Sequence, residues 1–194
     1  MSRQLGMTEV KRLNRGWRRR TQAGVSLLLD SVGQPFNVGS IIRSAAAFGV
    51  EQVWLCGATA QPGHPSARKT SLGTDRLLSF EYPQTAVLGA QAAQAAGFRV
   101  IAVELAGDAV PLHEADLSGN VCLALGNEDH GCSAGLLAAA DLVAYIPQVG
   151  KVGSLNVAAA AAVAIAEVRR REWAGDGAPA DIGTAAGEAG AERG

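Results

Sequence analysis

Five short apolar runs, each closed by turn residues, constrain this chain more than any other feature: 25–30 (VSLLLD), 52–57 (QVWLCG), 99–105 (RVIAVEL), 121–126 (VCLALG) and 142–147 (LVAYIP). Each is near-continuously apolar and only as long as a strand, the pattern of strands covered on both faces in a parallel sheet. Parallel strands need crossovers, and helical stretches stand at 38–48, 84–96 and 133–140, with a long one at 156–173 after the last strand. This alternation predicts an α/β fold with a parallel sheet and flanking helices. The final helix closes with Arg169, Arg170 and Arg171, cations that suit the negative end of its dipole.

The length of 194 residues argues for one core and one domain. Residues 1–20 carry seven basic side chains (Arg3, Lys11, Arg12, Arg15, Arg18, Arg19, Arg20) against Glu9, whereas the whole chain has a net charge of -1. Bulk attraction to a polyanion is therefore excluded, but a basic arm at 1–24 suits a phosphate backbone. The other reading of the arm is a helix whose charges face solvent while Leu13 and Trp17, four residues apart, pack onto the core. At the far end, 13 of the 21 residues in 174–194 are Ala or Gly, which predicts a disordered tail after a domain at 25–173. No apolar run reaches the roughly 20 residues of a membrane span and no secretory signal opens the chain, so the expected location is cytoplasmic. Cys56, Cys122 and Cys132 show neither CxxC nor zinc-ligand spacing and read as reduced core thiols, with no metal expected.

Three polar segments interrupt the apolar pattern. After the first strand comes Asn37-Val38-Gly39-Ser40-Ile41-Ile42-Arg43, in which Asn37 can cap a helix, Gly39 permits close approach, and Arg43 lies between one and two turns on. After the fourth comes Gly126-Asn127-Glu128-Asp129-His130-Gly131, a loop at the carboxyl end of a strand, where parallel sheets bind ligands through free backbone groups. It lacks the G-x-G-x-x-G fingerprint, which weighs against a nicotinamide-dependent oxidoreductase. After the fifth comes Gly150-Lys151-Val152-Gly153-Ser154-Leu155-Asn156, with Ser154 and Asn156 both competent caps for the Ala-rich helix that follows. Each segment alone also reads as an ordinary turn or cap.

Taken together, N-x-G-x-x-x-R, then L-G-N-E-x-x-G, then I-P-x-x-G-x-x-x-S-L-N-V before a final helix resemble the SpoU/TrmH branch of the SPOUT methyltransferases, over residues 25–172. The glycine-rich 149–153 stretch and the Asp129-His130 pair depart mildly from that pattern. The resemblance implies a SPOUT fold with a C-terminal deep trefoil knot, helices on both faces of the sheet, and an S-adenosyl-L-methionine pocket built by the loops of Leu105, Gly126, Ile146 and Leu155. It implies catalytic or bracing roles for Asn37, Arg43, Glu128, Ser154 and Asn156, and a homodimer in which Arg43 of one subunit works near the cofactor held by the other. The expected reaction is methylation of a ribose 2'-OH of tRNA or rRNA without a metal. The alternative is a relative that binds RNA without catalysis.

Phosphate contacts are expected from Arg68 and Lys69 and from Arg18, Arg19 and Arg20 in the arm. A guanidinium is too weak an acid to serve as a general base, so Arg43 is expected to hold an RNA phosphate and stabilise the developing alkoxide. The dimer is expected to use the final helix, through Ala158 to Ala162 together with Val163, Ile165 and Val168. Which RNA and which nucleotide are modified is not legible in the residues.

Overall fold

A computed structural model describes residues 3–174, so the expected tail lies, but for Ala174, outside the described residues. Seven strands form one sheet in the order β3-β2-β1-β6-β4-β7-β5: β1 Val25–Asp30, β2 Gln52–Cys56, β3 Ser79–Glu81, β4 Arg99–Val103, β5 Val110–Pro111, β6 Val121–Leu125 and β7 Leu142–Tyr145. Every pairing is parallel. β1 and β6 are buried along their whole length, which is why their sequences show no polar alternation.

Alternate side chains leave each strand on opposite faces and meet two separate helical layers. Leu27, Leu29, Val53, Leu123 and Leu125 face one layer, with Val38, Ile41 and Ile42 of α2 (Pro35–Ala47) and Ala161, Ala164, Ile165 and Val168 of α6 (Val157–Trp173). Leu28, Trp54, Val100, Cys122 and Ala124 face the other, with α4 (Ala86–Ala95) and α5 (Ala134–Ala139). Burial pushes the thiols of Cys56 and Cys122 up to about 12 and that of Cys132 upward as well, so all three stay protonated core groups.

The helical layers correct several expectations. α2 begins at Pro35, which fits a first helical turn where an N–H has no partner to lose, so Asn37 sits inside the helix rather than capping it. Ile165 and Val168 belong to the chain's own core; of the face expected to pair subunits, Val163 remains 45% exposed. Two strands and a helix had no counterpart in the sequence reading: β3, β5 and α3 (Pro65–Ser71) are too short for a period to register. α3 explains Gly39, since a Cβ there would strike the Ala67 carbonyl of that helix.

Residues of the basic arm form α1 (Met7–Arg20). Its Trp17 packs on Trp173 at the end of α6, ring centroids 4.8 Å apart. Thr21 links the pair, accepting from Trp173 Nε1 at 3.1 Å and donating to the Trp17 carbonyl at 3.0 Å. Beside it Arg169, only 1% exposed, donates to the carbonyls of Phe48 (3.0 Å), Gly49 (3.4 Å) and Ala23 (2.8 Å). It also pairs with Glu172 at 2.9 Å, whose carboxylate accepts the Ala23 amide at 2.8 Å. This buried network ties the end of α6 to the start of β1 and the end of α2.

Candidate functional site

At the opposite edge of the sheet, where the strands end, the loops after β4, β6 and β7 and the segment before α6 enclose a cavity of about 500 Å³. Parallel sheets place their ligands at this edge, because the crossovers leave loops with free backbone groups there. Seven of the nine pocket and catalytic residues expected from the sequence line it: Leu105, Gly126, Glu128, Ile146, Ser154, Leu155 and Asn156. Asn37 and Arg43 do not.

The loop after β6 folds back on itself, with Asn127 and Gly131 exchanging backbone hydrogen bonds at 3.0 and 2.9 Å. Gly126 makes this possible: a Cβ there would collide with the backbone of Gly131 and Cys132. Asn127 fixes the turn from within, its Oδ1 accepting the amides of Asp129 (2.9 Å) and His130 (3.2 Å) while its Nδ2 donates to the Ser31 carbonyl at 2.7 Å. Ser31 itself holds φ at 56°, the left-handed region, and so turns the chain sharply from β1 toward α2.

That turn delivers two backbone amides to Glu128, which accepts from Gly33 at 3.0 Å, Gln34 at 3.1 Å and the Asn37 Nδ2 at 2.9 Å. Burial alone would raise the Glu128 pKa, but the hydrogen bonds from Asn37 and the amides outweigh it and hold the carboxyl below the usual range. Asn37, 7% exposed, then accepts at Oδ1 from Asn156 Nδ2 at 3.0 Å. Asn156 in turn caps α6, accepting the Ala158 amide at 2.9 Å and the Ala159 amide at 3.4 Å. One relay thus runs from the start of α2 through Glu128, Asn37 and Asn156 to the first turn of α6. Asn37 uses both ends of its amide within this relay and is not among the residues that line the cavity.

Arg43 is exposed on α2 and makes no hydrogen bond or ion pair among the described residues. It lies seven residues after Phe36, hence on the same helical face, and Phe36 is 63% exposed. Leu72 and Leu77, 62% and 63% exposed, belong to α3's end and the 3-10 turn that follows it, both packed against α2. Arg68 and Lys69 are exposed on α3, and Arg18 and Arg19 on α1 at the far edge of the sheet. Arg20 is half-buried, stacked 5.1 Å from the centroid of the Trp17 ring.

Sequence reasoning passed over Glu104 and Asn127 as site residues. Glu104 lines the cavity and accepts the Cys132 amide at 2.8 Å and the Leu105 amide at 3.0 Å. The available signals were an acid at the end of a buried strand and an Asn able to build an Asx turn between two glycines. No cluster of His, Cys, Asp or Glu that could hold a metal occurs among the described residues, and none of their helices is long and apolar enough to cross a membrane.

The profile of the SpoU rRNA methylase family matches residues 24–166. An uncharacterized tRNA/rRNA methyltransferase of Synechocystis sp. is 34% identical over 157 residues, covering 78% of this chain and 55% of that protein. The tRNA (guanosine(18)-2'-O)-methyltransferase of Thermus thermophilus is 33% identical over 153 residues, 79% of this chain and 78% of that protein. Among solved structures, an AdoMet-bound rRNA methyltransferase from Sinorhizobium meliloti superposes with a TM-score of 0.71 at 30% identity, covering 78% of this chain and 58% of that one. The chain therefore spans little more than half the length of some of the relatives it matches.

Proposed function

The chain belongs to the SpoU rRNA methylase family, and from that premise we propose that it transfers a methyl group from S-adenosyl-L-methionine to a ribose 2'-OH of tRNA or rRNA. The observation that carries this reading is the cavity at the carboxyl edge of the sheet, in which seven sequence-selected residues from three separate segments come together. Its volume of about 500 Å³ suits a nucleoside-sized ligand. Leu105, Ile146 and Leu155 offer apolar walls, and Gly126, whose missing side chain lets the loop after β6 fold back on itself, joins them in the lining. Bound there, S-adenosylmethionine supplies a methyl group already activated by its sulfonium charge.

The chain's own residues then have to place the hydroxyl and manage its charge. Glu128, Asn37 and Asn156 are positioning residues: they fix the loop after β6 and the first turn of α6 against each other. Ser154 also lines the cavity. Arg43 binds the RNA phosphate next to the target ribose and stabilises the oxygen as its proton leaves, a task for a permanent cation rather than for a base.

Arg43 is outside its own chain's cavity, and this supports a homodimer in which it completes the partner's site. The exposed apolar side chains Phe36, Leu72 and Leu77 beside the same helix give such an interface its hydrophobic centre. A C-terminal trefoil knot is supported by the strand order, because β7 is inserted between β4 and β5 and the connection joining those two spans the place it occupies. Arg68, Lys69 and the exposed arginines of α1 extend the phosphate contacts. A cytoplasmic location goes with an RNA substrate.

Incubation with radiolabelled S-adenosylmethionine and total bacterial RNA, followed by digestion to nucleosides, tests the reading. Label is expected in a 2'-O-methylnucleoside only when RNA and protein are both present. Saturable RNA binding with no incorporation into any RNA fraction would overturn it in favour of a non-catalytic RNA-binding protein.

A further inference from the structure

A second and larger cavity, about 790 Å³, opens at the amino-terminal edge of the sheet, between α1, the end of α6 and the strand starts. Trp17, Trp173 and Phe98 line it with half-buried rings, and behind Phe98 stands Trp54, 1% exposed and packed edge-on against it at 6.0 Å. Two further groups give the hollow a polarity that packing does not need. The Glu51 carboxylate stands exposed at its wall with no hydrogen bond or ion pair among the described residues, and so does the Arg18 guanidinium on α1. Gly24 and Val25, at the start of β1, belong to this cavity, whereas Leu125 and Gly126, at the end of the neighbouring β6, belong to the other. The two are thus separated by the length of a strand, roughly 20 Å, and cannot serve one reacting centre.

We propose that this cavity binds a guanine nucleotide, with the base against the half-buried aromatic rings of its lining, its donor edge on Glu51 and its phosphate on Arg18. The argument is one of complementary groups. Flat aromatic walls favour a planar heterocycle, which every nucleobase offers. A carboxylate presents two acceptors side by side and requires two donors side by side. Guanine has them in its N1–H and exocyclic amine, while adenine and cytosine set a ring acceptor beside their amine and uracil flanks its single donor with carbonyls. The phosphate then leaves toward Arg18, beyond which Arg15 and Arg19 are also exposed on the same helix. Other charges weigh little on this choice: Glu81 accepts from Trp54 Nε1 at 3.2 Å, and Arg169 is paired with Glu172.

The same chemistry fits an unpaired guanosine within RNA or a free nucleotide. The RNA version rests on the methyltransferase reading above, in which case the enzyme holds its substrate at both edges of the sheet. The test uses the intrinsic fluorescence of the full chain, since the tryptophans report this cavity and none lines the other. With S-adenosylmethionine saturating, GMP is expected to quench the emission saturably and AMP to bind at least tenfold more weakly. Glu51→Gln should abolish that preference, and Arg18→Gln should weaken GMP while leaving guanosine unchanged. Both positions are exposed and unpaired, so circular dichroism should show both variants folded.

Equal quenching by GMP and AMP, or none by GMP, would overturn the proposal, as would an unaltered preference in Glu51→Gln. A guanosine-containing single-stranded oligonucleotide that displaces GMP, where one lacking guanosine does not, assigns the site to RNA. GMP binding that no oligonucleotide displaces assigns it to the free nucleotide and overturns the RNA version. Methyl transfer is no part of this readout, so failure here leaves the proposed reaction standing, and failure of methyl transfer leaves GMP binding to be judged alone.

Discussion

The two ends of α6 are fastened by polar networks of opposite character. At its last turn, Arg169 is 1% exposed, meets three backbone carbonyls and is neutralised by Glu172. At its first turn, Asn156 passes a chain of neutral amides to Asn37 and ends on one carboxylate, Glu128, all beside an open cavity. Both fasten α6 to α2, yet only the second belongs to the cavity at the carboxyl edge of the sheet. A buried ion pair is costly to break and insensitive to what is outside, whereas amides near a cavity hold side chains in place at small cost and can adjust to an occupant. The difference assigns stability to one end and orientation to the other.

Replacing Arg169 should give the largest effect. Arg169→Met leaves three carbonyls without their donor and removes the cation that neutralises Glu172, and it is expected to cost about 3–5 kcal/mol, the range for breaking one side of a buried pair. Urea denaturation measures it, and the folded fraction should bind S-adenosylmethionine with Kd within about twofold of wild type. Weaker cofactor binding by fully folded protein would show that the two ends are coupled and would break the division of labour.

Arg43→Ala should behave in the reverse way. Turnover on the native RNA should fall by about 10²–10³-fold, the scale for losing one stabiliser of transition-state charge. Stability should change by less than about 0.5 kcal/mol, because the side chain is exposed and unpaired. A variant that keeps a third of wild-type turnover would remove Arg43 from the mechanism.

Asn156 allows a finer cut, since it both caps α6 and donates to Asn37. Asn156→Ala should lose about 1–2 kcal/mol from the cap and relay together and bind the cofactor more weakly. Asn156→Asp keeps the capping oxygen without the amide donor, so it should regain stability but not affinity. Recovery of both would reduce the relay to a helix cap.

The smallest effect is a dependence on pH at one end only. Glu128 has a folded pKa below its unfolded value of about 4.3, so its contribution is fully present above that value and is lost as pH falls through the folded pKa. The stability difference between wild type and Glu128→Gln should be constant above about pH 5.5 and shrink below about pH 4. A difference that persists at pH 3 would mean that the charge on Glu128 contributes nothing.

How much of this was legible in the sequence differs between the same two ends. The segments on the cavity side were visible as polar and glycine positions interrupting apolar runs at strand ends, but Gly126, Glu128, Ser154, Leu155 and Asn156 were singled out only by the resemblance to the SpoU/TrmH pattern. The strands themselves were found for a related reason, β1 and β6 being wholly buried and hence uniformly apolar. Arg169 read as one of three cations suited to a helix terminus, and nothing local distinguished the one that is buried from its neighbours Arg170 and Arg171. Its partners, the carbonyls of Phe48 and Ala23, lie 121 and 146 residues away. Asn37 was read as a helix cap from its residue type and as a catalytic residue from the family resemblance; the carboxylate that accepts the amides at the start of α2 comes from 91 residues further on. β3, β5 and α3 escaped because two, three or seven residues are too few to repeat a period of burial.

The hydrogen bond between Asn37 and Asn156 also bears on the order in which the molecule comes into being. It joins residues 119 positions apart. While the chain is still being synthesised, β1, β2, β4 and β6 can meet and Glu128 can find the start of α2, but the Oδ1 of Asn37 waits for a residue not yet made. The loop entropy of that closure is met only when α6 arrives, so the cavity acquires its final wall in the last stage of folding. A nascent or prematurely ended chain would carry most of the core but not the finished cavity, which is complete only when the whole domain has been made.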